Sequence, residues 1–247
     1  MAVVDINKAN LAFGFDQFTF DESIDLDLFD IDGNDNNDDS RYMRPKIDPF
    51  VKANIRYNKA KDLAEHLSIG SNERVNVVLS GNFVFGDFIE QWIVKEDTQV
   101  EQMYVSTLSM SEGNVNSLKA LIKNEWVEEL HLFLSDYFYS HERLKMMPVI
   151  MNELDIDDKF QLAISGMHVK VTLLKMCDGR HIVMHGSANL RSSACLEQLC
   201  IEESRELFDF YVELFSYIEQ KFKIINKSVR RNQCWTGMEK HIKREGA

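Results

Sequence analysis

The feature that most constrains the fold is a tight turn between two apolar stretches of the C-terminal half. The stretches span residues 160–176 and 181–184, and the turn between them contains Asp178-Gly179. Asp and Gly tolerate the positive φ values that two-residue hairpin turns need. We therefore predict a long β-hairpin with Asp178-Gly179 at its tip.

The open end of this hairpin would bring four polar side chains together. Side chains alternate faces along a strand, so His168 and Lys170 would point the same way. Folding at the turn would return Ser187 and Asn189 to their side. A Lys and an amide can hold the charged oxygens of a phosphodiester, while a His supplies covalent or acid–base chemistry.

The pattern of these residues resembles a known family motif. His168-x-Lys170 followed by Gly186-Ser187-x-Asn189 is similar to the His-Lys-Asp signature of the phospholipase D superfamily. The motif occurs once in the chain, and we find no internal repeat. Such a match becomes a site only in the right structural context, here two strand ends that meet.

The sequence departs from the family pattern at its acidic positions. The usual Asp spacing falls on Lys175, and Asp178 comes three positions later, so a longer hairpin is expected in which Asp178 and Gly186 are structural residues. The family also has a downstream acidic residue that contacts the active-site His. Glu197 and Glu202 are both candidates for that position.

The resemblance implies a metal-independent phosphodiesterase without a cofactor. His168 would form a phosphohistidine, Lys170 and Asn189 would stabilise the phosphoryl oxygens, and Ser187 would help orient them. Glu197 or Glu202 would fix the tautomer of the histidine. Since relatives with one motif usually pair two subunits, a homodimer is expected in which two motifs meet.

The substrate is open at this stage. The chain resembles nuclease-like phospholipase D proteins of phages and mobile elements, which favours nucleic acid. One alternative is a non-catalytic nucleic-acid-binding or assembly protein that reuses the fold, and another is a phospholipid phosphodiesterase or transferase. The net charge of −12 argues against a generally basic nucleic-acid binder.

Charge also divides the chain. Residues 1–49 hold twelve acidic and four basic side chains and are expected to form a flexible segment that could bind a protein partner. Residues 50–225 are expected to form the phospholipase D-like catalytic domain. Residues 226–247 form a basic tail, and the segment 221–247 as a whole has a net charge of +6. Such asymmetry fits a tail that would meet a polyanion and equally fits a solvated basic helix end.

The sequence does not support a membrane-spanning, secreted or zinc-finger protein. No stretch approaches the ~18 apolar residues of a membrane span, and no secretory signal is visible. The four Cys have no zinc-finger spacing, so a reduced cytoplasmic protein is expected. His181 and His185 match no motif position and are expected to be structural or solvated.

Periodicity predicts strands that alternate with helices, and hence an α/β fold with a mixed central sheet and helices on both faces. Strands are predicted at 75–80, 100–108 and 129–134, and helices at 53–67, 87–94, 112–124, 140–154 and 203–225.

Overall fold

The computed structural model describes residues 50–57, 59–79, 83–191 and 195–222, and eight strands among them form one sheet. The acidic segment 1–49 and the basic tail 226–247 lie outside the described residues. The strands are β1 (Phe50–Tyr57), β2 (Glu73–Leu79), β3 (Val100–Thr107), β4 (Val127–Ser135), β5 (Phe160–Ser165), β6 (Val171–Met176), β7 (His181–Gly186) and β8 (Glu197–Glu203).

Six helices accompany the sheet in the described residues. They are α1 (Ala60–His66), α2 (Phe85–Glu96), α3 (Glu112–Lys123), α4 (Asp136–Glu142), α5 (Met146–Leu154) and α6 (Arg205–Phe222). No helix of this described part combines the length and the apolar character that crossing a membrane would require.

The sheet is mixed, with strand order β1-β2-β8-β7-β6-β3-β4-β5. β1 pairs in parallel with β2, while β3, β4 and β5 form a second parallel group. Between these groups, β8, β7 and β6 are joined by antiparallel ladders. The predicted α/β class with a mixed sheet is therefore confirmed.

Helices cover both faces of the sheet, as predicted. On one face, buried side chains of α1, α2, α3 and α5 join the larger apolar cluster, in which Phe88 and Trp92 are fully buried. On the other face, α6 packs Phe208, Phe215 and Ile218 onto the central strands. Burying such a side chain stabilises a fold by about 1.5–3 kcal/mol.

The docking of α6 combines aromatic and polar contacts. The rings of Phe133 and Phe215 stack with centroids 4.3 Å apart. Beside them, His131 Nδ1 lies 2.6 Å from a carboxylate oxygen of Glu219, and the His131 ring stacks on Tyr104 at 4.3 Å. The buried imidazole thus meets a carboxylate, as a buried polar group requires.

The predicted helix at 53–67 is wrong in its first part. Residues 50–57 form β1, and only Ala60–His66 are helical. The predicted helix at 140–154 is also two helices, α4 and α5, with a turn between them.

The predicted strand at 160–176 is likewise two strands. β5 pairs in parallel with β4 at the edge of the sheet, whereas β6 lies in the centre between β3 and β7. Residues 166–170 connect the two strands, so His168 and Lys170 precede β6 instead of belonging to it. The hairpin itself is confirmed, since Gly179 has a φ of 93° and Met176 N–H donates to the Arg180 carbonyl at 2.9 Å.

Gly186 ends β7 at a point where β7 and β8 leave no room for a side chain. A Cβ there would lie 2.8 Å from the carbonyl carbon of Gln198 and 3.0 Å from Leu199 Cα, and closer still to the Gln198 oxygen. These are backbone atoms of a central ladder, so they cannot turn aside as a flexible side chain would.

We therefore expect Gly186→Ala to lower the free energy of unfolding by about 1–3 kcal/mol, as overpacking does. Gly113→Ala is the control, because a Cβ at Gly113 would meet its nearest atom at 3.6 Å and alanine suits a helix. Thermal denaturation of both variants measures the effect. Equal melting temperatures in the two variants would contradict the steric argument.

Candidate active site

The site residues meet at one edge of the sheet. β3, β4, β5 and β7 end at this edge, while β6 and β8 begin there. An open cleft of about 910 Å³ lies along it. The wall on the central strands includes His168, Lys170, Ser187, Asn189, Arg191 and Glu197, and the opposite wall includes Ser135, Asp136, Tyr137, His141 and Glu142.

His168 and Lys170 lie side by side in the segment before β6. Lys170 Nζ is 3.2 Å from His168 Nδ1, and the His168 side chain is exposed to the cleft. The Ser106 hydroxyl on β3 donates to the carbonyl of Val169 and so holds the backbone between them. Burial lowers the pKa of Lys170, and the Glu197 carboxylate opposes part of that shift.

The turn after β7 is held on both sides. Gly186 N–H donates to the Lys170 carbonyl at 3.3 Å, and Ser187 N–H donates to the Gln198 carbonyl at 2.9 Å. Gln198 N–H donates in return to Ser187 Oγ at 2.9 Å. The same hydroxyl donates to the carboxylate of Glu197. These bonds join the start of β6 and the start of β8 to one short turn.

Asn189 is anchored by its carboxamide oxygen. Leu108 N–H, just after β3, donates to Asn189 Oδ1 at 3.1 Å. The next residue is fixed as well, because Leu190 N–H donates to the hydroxyl of Thr107 at 3.3 Å. With its oxygen engaged, Asn189 offers its NH₂ group to a ligand in the cleft.

The cleft is also lined by α4, which was not predicted to belong to the site. The Ser135 hydroxyl caps this helix by accepting from Phe138 N–H at 3.0 Å. Tyr137 is 63% exposed and its ring lies 4.1 Å from that of His141. The sequence contained a signal for this contribution. The segment of α4 follows the carboxyl end of a predicted strand, and α/β sheets bind their ligands at that end of their strands.

Three of the predicted residues, Gly186, Glu202 and Asp178, are not among those that line the cleft. Glu202 is buried on β8, where its carboxylate accepts from Arg74 Nη2 at 2.8 Å and lies 3.2 Å from His185 Nε2. Asp178 lies at the hairpin tip, at the other end of the strands, and accepts from the Arg180 backbone N–H at 3.0 Å. Of the two acidic candidates, Glu197 is the one that the fold brings to the cleft.

His185 and Glu202 form an ion pair outside the cleft. Burial alone would lower the pKa of His185, but hydrogen bonds to Cys200 and Glu202 outweigh it and raise that pKa to about 9. Burial would raise the pKa of Glu202, yet His185 and Arg74 lower it. These contacts pair the His185 side chain with Glu202 on the neighbouring strand, outside the cleft.

Comparison with known proteins gives similarity at the level of structure. No protein-family model matches the sequence, and no curated protein is significantly similar to it. Among solved structures, a phospholipase D family member, Nuc from Salmonella typhimurium, matches 61% of this chain and 97% of its own, with 16% identity and a TM-score of 0.44. The phosphatidylserine synthase of Haemophilus influenzae Rd KW20 matches 75% of this chain and 51% of its own, with 12% identity and a TM-score of 0.46.

The anchoring of Asn189 leads to a prediction about anion binding. Asn189→Asp keeps an oxygen for Leu108 N–H but replaces the NH₂ donor by a negative charge. We expect the affinity for tungstate, a tetrahedral oxyanion, to fall at least ~10-fold, since hydrogen bonds to charged groups contribute about 1.5–3 kcal/mol. Isothermal titration calorimetry measures it.

Gln91→Glu makes the same change in net charge on an exposed position of α2 and serves as the control. It should bind tungstate like the wild type. Equal affinities for the wild type and Asn189→Asp would show that the amide does not face the anion.

Proposed function

We propose that this chain is a metal-independent phosphodiesterase that acts on nucleic acid through a phosphohistidine. The observation that carries the proposal is the cleft in which His168 and Lys170 lie 3.2 Å apart, beside Ser187 and the NH₂ group of Asn189. A nucleophile, a fixed cation and neutral donors are what a phosphoryl group needs in order to be held and attacked.

In the first step, the His168 imidazole attacks phosphorus, an N–P bond forms, and the bond to the leaving oxygen breaks. Lys170 and Asn189 stabilise the charge on the non-bridging oxygens. A second His168, from another copy of the chain, donates a proton to the leaving oxygen. In the second step it removes a proton from water, which attacks phosphorus and releases the first histidine.

Glu197 is the acidic residue that we assign to this chemistry. Its carboxylate accepts from the Ser187 hydroxyl, and it lines the same cleft as His168. A carboxylate in that place can hold a histidine in one tautomer and stabilise its protonated form, as the aspartate of a Ser-His-Asp triad does. Glu202 forms ion pairs with Arg74 and His185 outside the cleft, which favours Glu197 for this assignment.

Nucleic acid is favoured over a lipid by the aromatic wall of the cleft. Tyr137 is exposed, its ring centroid lies 4.1 Å from that of His141, and both residues line the same cleft as His168. Aromatic side chains bind single-stranded nucleic acid by stacking on its bases, with about 1–3 kcal/mol per base. The rival functions are a phospholipid phosphodiesterase or transferase and a non-catalytic nucleic-acid-binding or assembly protein.

A substrate panel distinguishes these functions. The wild type is incubated in excess EDTA with single-stranded DNA, duplex DNA, RNA and phospholipid vesicles. We expect cleavage of at least one nucleic acid, because Lys170 supplies the positive charge that a metal would otherwise bring. Release of lipid headgroups alone would support the lipid enzyme, and binding without cleavage would support the non-catalytic protein.

We expect His168→Ala to abolish hydrolysis in the same assay and to leave the melting temperature nearly unchanged, because the side chain is exposed. A substrate labelled in its phosphate should transfer the label covalently to the wild-type protein, as a phosphohistidine that is stable in alkali and labile in acid. The variant should carry no such label. His66→Ala removes another exposed histidine, on α1, and should keep full activity. Undiminished hydrolysis by purified His168→Ala would end the assignment.

The proposed mechanism uses two histidines, whereas the chain carries one motif, so we expect a homodimer in solution. Closed two-fold dimers are the commonest oligomers. Light scattering across a dilution series gives the mass, and activity is followed over the same range. A monomer that keeps its full specific activity would contradict the two-subunit mechanism.

A further inference from the structure

A second group of chemically active side chains lies where β2, β8 and β7 run side by side, on the face that carries α6. His185 on β7 is directly opposite Cys200 on β8 in the antiparallel ladder. Glu202 follows Cys200 by two residues and so points to the same face. Arg74 on β2 is opposite Glu202 in the next ladder.

The donor atoms of three of these residues converge. One ligand atom each from His185, Cys200 and Glu202 lies within 4.8 Å of the other two, and His185 Nε2 is 3.2 Å from Glu202 Oε1. Around a tetrahedral Zn²⁺ with bonds of ~2.0–2.3 Å, neighbouring donor atoms lie ~3.3–3.8 Å apart. Shifts of about 1 Å would therefore complete the coordination triangle.

The chemistry of the set selects one class of ion. Imidazole, thiolate and carboxylate are the donors that Zn²⁺ uses in proteins, and a thiolate disfavours Mg²⁺ and Ca²⁺. Arg74 donates to the second oxygen of Glu202 from both Nε and Nη2, at 3.0 and 2.8 Å. Such a contact orients a ligating carboxylate without occupying its free oxygen.

Burial suits a bound ion with one open side. Cys200 and Glu202 are 5% and 1% exposed, whereas the His185 side chain is 32% exposed. The pairing of Glu202 with Arg74 and His185 does not require a thiol at position 200. The thiol directly opposite the imidazole supplies a third donor of a type that Zn²⁺ binds.

We propose that His185, Cys200 and Glu202 bind one Zn²⁺ ion, with the fourth coordination position open to water. The ion would join β7 to β8 directly beneath Gly186, Ser187 and Glu197, and would stiffen the wall of the cleft. It takes no part in the chemistry at His168, so the proposal stands apart from the proposed function. Binding displaces the protons of the imidazole and the thiol, so affinity should rise with pH.

Cobalt is the probe, because a thiolate bound to Co²⁺ gives a near-ultraviolet charge-transfer band and a tetrahedral site gives intense visible bands. The full-length chain is freed of metal with a chelator and titrated with Co²⁺, and Zn²⁺ then displaces the cobalt. We expect one equivalent of Co²⁺ to give both bands. Zn²⁺ should raise the melting temperature by at least ~3 °C, because an ion that binds the folded protein and not the unfolded chain stabilises the fold.

Cys200→Ser should abolish the charge-transfer band, and His185→Asn should weaken Co²⁺ binding at least ~10-fold, as loss of one ligand does. Cys177→Ser removes an exposed thiol just after β6, at the tip of the hairpin, and should behave like the wild type. Circular dichroism in the presence of chelator checks that each variant is folded. If a variant does not fold, the titration of the wild type alone tests the site. Absence of the band in the wild type, or an unchanged titration in Cys200→Ser or His185→Asn, would overturn the proposal.

Discussion

The antiparallel hairpin of β6 and β7 in the middle of the sheet is the constraint on which the site depends. Its ladders to β3 and β8 place the start of β6 and the end of β7 at the edge where β3, β4 and β5 also end. The segment with His168 and Lys170 therefore meets the turn with Ser187 and Asn189. Parallel strands alone would have put the start of β6 at the opposite edge, since every strand would then begin at the same side.

Close approach of backbones makes this meeting point rigid. Gly186 allows the end of β7 to lie against Gln198 without an intervening side chain, and hydrogen bonds then tie Ser187 to β8 in both directions. A polar site held by backbone bonds loses little entropy when a ligand binds, because its donors are already oriented. The two apolar clusters on either face hold the strands themselves in place.

The sequence predicted the parts of the fold that depend on local chemistry. The turn at Asp178-Gly179, the α/β class and the group around His168 follow from residue types and short spacings. The helix predicted at 53–67 was wrong in the region of β1. There every second residue is less polar than its neighbours, namely Val51, Ala53, Ile55 and Tyr57, and this period of two is typical of a strand. The error at 160–176 has a different cause, because an apolar run does not reveal which neighbours its strands choose. Gly166, at the end of β5, marks the break, and the partners of β5 and β6 are fixed by long-range pairing.

The choice between Glu197 and Glu202 shows what spacing cannot supply. Both residues lie on β8, five positions apart, and an odd separation puts two side chains on opposite faces of a strand. Only the pairing of β8 with β7 shows that Glu197 adjoins Ser187, while Glu202 faces Arg74 and His185. A single strand thus carries residues of both proposed sites. Its first residue contributes to the cleft, and its buried Cys200 and Glu202 belong to the group beneath that edge.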